Sequence, residues 1–409
     1  MALIVQKYGG SSVANAELIR NVAARIVAAR KRGDDVVAVV SAMGDATDLL
    51  NDLAHQVCSK PDERELDLLL STGELVSSAL LAMALRDLGQ EAVSLSGLQA
   101  GIRTERRFGR ARITGIDAKR IEKEVSRGKV VIVAGFQGVT DEMDVTTLGR
   151  GGSDTTAVAL AVQLQAATCE RFTDVEGVYT ADPRLVPDAR KLKDISYEEM
   201  LELASSGVKV LHPRAVELAC VYSVPIFVAS SFSSAPGTLI HSGTLMEVAD
   251  KVRGIAHDTD VAKVTVLGVP DRPGMVARLF EPLSEANIRV DTIVQNASAG
   301  NVTDVTFMVS CGDLADAISV VESNIQGLEA RGWVADEGLA KVSVVGSAMR
   351  TAPGYAARAF KALFEAGINI EMVTTAEVRI TCIVAAHRVA EAVRALHAAF
   401  GLATLNDDA

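Results

Sequence analysis

Apolar positions along the first part of the chain come in two spacings. Short, almost unbroken apolar runs at residues 3–8, 36–40, 92–95 and 130–134 predict strands. Between them lie longer stretches in which apolar residues recur every third or fourth position. The first of these places Leu18, Ile19, Val22 and Ile26 on one face and stops at Gly33, which predicts a helix. A long helix is expected to open at Ser71, and the run after Thr156 (AVALAVQLQA) has the composition of a buried helix. Strands alternating with helices predict an α/β unit: a mostly parallel sheet covered on both faces, with ligand loops at the strands' carboxyl ends.

Beyond about residue 245 the segments become shorter and one pattern occurs twice. Asp271-Arg272-Pro273-Gly274 through residues 287–291 matches Thr351-Ala352-Pro353-Gly354 through residues 367–371 at a constant offset. Within the match Phe280 aligns with Phe360, and Glu285-Ala286 with Glu365-Ala366. Each copy reads strand, Pro-Gly turn, helix, strand, which predicts two small α+β modules side by side.

Composition narrows the class. At 409 residues the chain is too long for one ordinary core, so two or three domains are expected. A net charge of −11 argues against a general nucleic-acid binder, although residues 103–112 (RTERRFGRAR) are locally basic. Five scattered cysteines without a C-x-x-C fit reduced cytosolic thiols rather than a disulfide or zinc framework. The N-terminus opens directly on a strand-like segment, and no run of about 18 uncharged apolar residues occurs, so neither a signal peptide nor a membrane span is expected.

Several short blocks carry candidate chemistry. In Arg150-Gly151-Gly152-Ser153-Asp154-Thr155-Thr156, two glycines let a ligand approach the backbone at a helix N-terminus, where free N–H groups attract anions. Arg150 adds a fork for a carboxylate or phosphate. The plainer reading is a loop with Ser153 or Asp154 as the N-cap. Lys7-Tyr8-Gly9-Gly10 puts a cation at a strand end before a glycine turn, a second anion cradle that is neither a Walker loop nor a dinucleotide fingerprint. Ser71-Thr72-Gly73-Glu74 fits a capping box, with a buried carboxylate for a ligand's ammonium as the competing role. Residues 173–184 mix turn formers with a tyrosine and an arginine. Lys209 interrupts an apolar run, and His212 before Pro213 reads as a structural turn residue.

In this order KYGGSSV, VVSAMGDATD, LSTGE, GRGGSDTTA, FTDVEGVYTADPR and VKVLHP resemble the aspartokinases, a branch of the amino-acid kinase family. The duplicated unit is similar to their paired ACT domains. The resemblance implies an amino-acid kinase fold over residues 1–245 and two ferredoxin-like α+β ACT domains over 246–409. The first would span about 263–337. The second would span about 246–262 plus 338–409, because a strand at 252–256 completes it.

The resemblance implies transfer of the γ-phosphoryl group of ATP to the β-carboxylate of L-aspartate, giving 4-phospho-L-aspartate, the first step of lysine, threonine and methionine biosynthesis. Such a carboxylate is already an ionised nucleophile, so positioning and charge stabilisation replace a general base. Mg²⁺ would travel with ATP rather than on protein ligands. By the family pattern Lys7 and Lys209 flank the phosphoryl group and Asp154 holds both. Arg150 grips an aspartate carboxylate, Glu74 its ammonium, and Ser41, Thr47 and Ser153 complete the pocket. Gly9, Gly10, Gly151 and Gly152 offer N–H groups, while Tyr8, Thr173, Asp174, Tyr179, Thr180, Ala181, Asp182, Pro183 and Arg184 frame the nucleotide.

Lysine or threonine would inhibit at the ACT interface, near Asp271, Asp291 and Gln295 of the first module and Asn369 and Ile370 of the second. Ala356 stands where threonine-responsive relatives often have Thr. The implied assembly is a homo-oligomer, a dimer through the ACT domains, or a complex with a separate regulatory subunit starting near Met246. The implied location is the cytoplasm, with no nucleic-acid or membrane partner. Two other readings share part of the pattern: a kinase for another acid such as glutamate, and an inactive amino-acid sensor. Glu74 with Arg150 favours an α-amino dicarboxylic acid, and intact Lys7, Asp154 and Lys209 speak against the sensor.

Overall fold

Every residue from Val36 to Val40 is fully buried, which a strand achieves only with helices on both faces of its sheet. In the computed structural model, which describes residues 2–243, 252–296, 300–350 and 354–404, that strand lies inside an eight-stranded sheet. The order is Asp194–Ser196, Thr238–His241, Ile226–Ser230, Thr168–Thr173, Leu3–Tyr8, Asp35–Val40, Val130–Ala134, Ala92–Leu95. All neighbours run parallel except Ile226–Ser230 with Thr238–His241. The chain builds away from Leu3–Tyr8 on one side and later returns with Thr168–Thr173 on the other. Loops diverge at such a reversal and leave a crevice at the carboxyl ends, where Lys7 and Gly9 lie.

The helix Ala16–Lys31 matches its expected face: Ile19, Val22, Ala23, Ile26 and Ala29 are buried, and Asn15 caps it by accepting the Leu18 N–H. The next long helix differs. It starts at Glu63, not Ser71, because Asp62 accepts the N–H groups of Arg64 and Glu65 and the first turn carries Glu63 and Glu65. Ser71 sits mid-helix and its hydroxyl donates to the Leu68 carbonyl at 2.8 Å, so Ser71–Glu74 is not a capping box. Among the described residues this helix, Glu63–Asp87, alone has the length and apolarity of a membrane span. It packs on Ala16–Lys31 and on the sheet, and it buries Asp67 and Glu74. The basic run joins the strands Ile102–Thr104 and Ile113–Ile116 of a separate four-stranded sheet, where exposed Arg106 pairs with Glu142 at 3.4 Å.

The chain forms two compact units, and they do not divide at one point near residue 245. The second unit also takes Thr180–Arg190 and Ser206–Val208. Ala181 and Val186 belong to its core with Val252, Ile255 and Val342, and Thr180 Oγ1 lies 3.0 Å from His397 Nε2. This unit holds two four-stranded antiparallel sheets. One has Asp291–Gln295, Val302–Val309, Ala262–Pro270 and Gly332–Asp336, with helices Met275–Glu285 and Leu314–Asn324. The other has Gly254–Asp258, Leu339–Val345, Arg379–Ala385 and Met372–Ala376, with Tyr355–Glu365 and Val389–Ala399. Gly274 and Gly354, the glycines of the duplicated pattern, cap a helix in each. Met246 lies outside the described residues.

Candidate active site

Lys7 is the penultimate residue of the central strand Leu3–Tyr8, and its ammonium lies 2.7 Å from Asp154 Oδ1, both side chains buried. Arg171 reaches the same carboxylate, its Nε donating to Oδ1 at 3.2 Å and to Oδ2 at 3.3 Å. Burial pushes the Asp154 carboxyl up, but Arg171 and Lys7 outweigh it and hold it at about 2. Burial also lowers Lys7, which Asp154 opposes. Breaking a buried ion cluster strands its remaining charges, at a cost of about 3–5 kcal/mol. Asp154→Asn keeps the shape and leaves two cations unneutralised, so its unfolding free energy in urea is expected to fall by about 3 kcal/mol. A variant as stable as the wild type would show that the cluster holds nothing together.

The expected N-cap is corrected. Gly151 caps the helix Gly152–Gln163 from a left-handed conformation, φ 69°, and no side chain takes that role. A Cβ at Gly151 would come within 2.3 Å of the His212 side chain. Ser153 and Asp154 are buried inside the first turn, which frees Asp154 for the two cations. His212 is a turn residue as expected: it caps Pro213–Tyr222, its Nδ1 accepting the Arg214 N–H at 3.3 Å.

Glu74 is buried where its helix crosses the loop after Asp35–Val40. Gly73 makes the crossing possible, since a Cβ there would lie 2.8 Å from that of Ala42. The Ala42 N–H donates to Glu74 Oε1 at 3.1 Å, while the buried Oε2 has no hydrogen-bond partner. Burial raises the carboxyl to about 7, against the Ala42 bond and the weaker pull of Lys7. A buried carboxylate with one free oxygen is suited to a cation that arrives with the ligand.

Other candidates gather around these groups. The Ser41 carbonyl accepts from Ser77 Oγ at 2.8 Å, Gly10 accepts from the Gly44 N–H at 3.1 Å, and Thr47 sits in the first turn of Ala46–Val57. The Gly9 N–H donates to Phe172 at 3.3 Å, and Thr173 Oγ1 donates to Asp174 at 2.9 Å. Arg150 is exposed beside Gly151.

Four expectations change. Lys209 is exposed on the turn before Pro213–Tyr222, and Asp154 takes Arg171 as its second cation because strand register fixes that side chain beside Lys7. The Tyr8 ring is core, stacked on Phe172 at 5.1 Å, so it is not available to a nucleotide. Thr180 and Ala181 are buried within the second unit, and Asp182, Pro183 and Arg184 follow them there, Asp182 gripping Arg184 at 2.7 Å. Tyr179 is bridged to Lys191 in the first unit. In the second unit Asp291 is ion-paired with buried Lys341, Asn369 donates to Glu371 at 2.8 Å, Asp271 and Gln295 are exposed, and Ile370 is half-buried. Sequence reasoning missed Arg171. A charge inside a central parallel strand needs a buried partner, but only the sheet order makes residues 168–173 central.

The amino acid kinase family model matches residues 2–230, and an ACT domain model matches 264–325 and 342–400. The aspartokinase of Geobacillus stearothermophilus is 50% identical over 403 residues, 98% of each chain. That of Bacillus sp. (strain MGA3) is 49% identical over 402 residues, again 98% of each. Among solved structures, E. coli aspartokinase III in complex with aspartate and ADP is similar over 97% of this chain and 99% of that one, with 28% identity and a TM-score of 0.84. The same enzyme in complex with lysine and aspartate gives 27% identity and a TM-score of 0.73 over the same shares. Half the residues shared over nearly the whole length, on the same fold, mean that the chain belongs to the aspartokinase family of enzymes.

Proposed function

We propose that the protein transfers the γ-phosphoryl group of ATP to the β-carboxylate of L-aspartate, giving 4-phospho-L-aspartate. The observation that carries the substrate reading is Glu74, a buried carboxylate with one oxygen held by a backbone N–H and the other unpartnered. An α-ammonium would pair with that oxygen through a charged hydrogen bond. Arg150 then grips a carboxylate of the substrate, and Ser41, Thr47 and Ser153 line its pocket with the N–H group of Gly151. Lys7, kept in place by Asp154, meets the γ-phosphoryl group. Lys209 and the N–H group of Gly10 add to the cradle, and Thr173, Asp174 and Tyr179 border the nucleotide.

Among the described residues no three His, Cys, Asp or Glu side chains form a metal cluster, and Asp154 is committed to its cations. A divalent ion, Mg²⁺ in this reading, fits as one carried by the phosphates and water, where it neutralises charge on the transferred group. Residues 1–245 are read as catalytic and 246–409 as regulatory, with lysine or threonine as inhibitors of a cytoplasmic homo-oligomer serving lysine, threonine and methionine biosynthesis. Lysine is supported by the lysine-bound relative.

Purified protein with Mg-ATP, aspartate and hydroxylamine is expected to yield aspartyl hydroxamate, suppressed by lysine or threonine. Product from glutamate and none from aspartate would overturn the substrate assignment. Failure with both would favour the sensor reading, and indifference to both inhibitors would remove the regulatory one.

A further inference from the structure

Arg171 stands directly opposite Lys7 in the parallel register of Thr168–Thr173 with Leu3–Tyr8. The pairing fixes two cations side by side at the centre of the sheet, both reaching Asp154 on the helix above. Like charges on adjacent strands repel, so the arrangement persists only because one carboxylate lies between them. Arg171 is largely buried, and its Nη1 makes no hydrogen bond. A cavity of about 10 Å³ bordered by Lys7, Asp154, Cys169 and Arg171 is far too small for an amino acid or nucleotide.

The charges decide what Arg171 does. With Lys7 and Asp154 alone the pair is neutral, and a carboxylate 2.7 Å from the ammonium would confront an incoming phosphoryl group with its own negative charge. With Arg171 present the three groups sum to +1. We propose that Arg171 is a positioning residue for phosphoryl transfer: it neutralises Asp154 from the side, so that Lys7 stays oriented while its positive charge remains available to the transferring group. This rests on the reading that Lys7 meets the γ-phosphoryl group.

The groups acting on Lys7 are Asp154 from the helix and Arg171 and Cys169 from the adjacent strand, while Lys7 in turn acts on Glu74. Of these, Arg171 makes Lys7 easier to deprotonate and Asp154 makes it harder. Losing Arg171 therefore raises the proton affinity of Lys7 and moves the alkaline limb of the rate profile to higher pH.

The test compares full-length wild type, Arg171→Met and Arg171→Lys by initial rates from pH 7 to 10, with ATP and aspartate varied separately. Arg171→Met fills similar space without charge. It is expected to lose about 10–30-fold in kcat, keep its KM for aspartate, and shift its alkaline limb upward. Arg171→Lys, which restores the charge, is expected to recover most of kcat and the wild-type limb. Wild-type kcat and pH profile in Arg171→Met would overturn the proposal, and so would equal losses in both variants. The reading beneath it fails separately: that happens if Lys7→Met remains active, whereas an inactive Lys7→Met with a normal Arg171→Met removes only the role of Arg171.

Discussion

Lys7→Met is expected to lower kcat by about 10³-fold while the protein stays folded. A preorganised cation on a transferring phosphoryl group acts where charge moves, and deleting such a group costs roughly 10²–10⁵-fold in rate. Methionine is similar in length and apolar along its stem, so the strand end keeps its packing. Asp154 is not stranded, because Arg171 still donates to both its oxygens at 3.2 and 3.3 Å. Stability and turnover therefore separate in this variant, whereas Asp154→Asn damages both. Initial rates and thermal unfolding on the same sample check the claim. A Lys7→Met enzyme with near-normal kcat would remove Lys7 from the phosphoryl site, and one that fails only because it unfolds would make Lys7 structural.

The separation depends on Arg171, and Arg171 marks where the sequence stops being legible. The strands at residues 36–40 and 130–134 are readable because a strand buried on both faces has no polar face to interrupt the run. The duplicated modules are readable because each begins a helix at a glycine, where Gly274 and Gly354 take positive φ values of 95° and 103°. In TCERFT, by contrast, Arg171 looks like one polar residue of a half-exposed strand. Only its register opposite Lys7 shows that both cations share one carboxylate. The same limit explains Ser71, where a local capping pattern loses to a better cap at Asp62 upstream. It also explains Thr180 and Ala181, because turn chemistry marks a loop without saying which core will bury it. Glu74 was legible only as the competing role beside a capping box, a buried carboxylate for a ligand's ammonium, and its orphaned oxygen was not legible at all.

That oxygen gives the second large effect, a dependence of aspartate binding on pH. Burial lifts the Glu74 carboxyl from 4.5 to about 7, so the folded protein prefers it protonated. The shift is equivalent to about 3 kcal/mol of folding stability, present below pH 4.5 and lost as pH rises through 7. An ammonium requires the ionised form, so ligand binding must expel the proton. The expected result is aspartate affinity about tenfold weaker at pH 6 than at pH 8, levelling off above 7, with proton uptake by the buffer at the acid end. The substrate's own ammonium and carboxylates do not titrate in this window. Calorimetry without nucleotide, in two buffers of different ionisation enthalpy, keeps phosphate ionisation out of the measurement. Glu74→Gln removes the titrating group while keeping an acceptor for the Ala42 N–H. It is expected to flatten the pH dependence and, by unpairing a buried ammonium, to raise the KM for aspartate by about 10²-fold or more. A Glu74→Gln enzyme that keeps both the wild-type KM and the pH dependence would mean that the ammonium is held elsewhere and that the unpartnered oxygen faces no substrate.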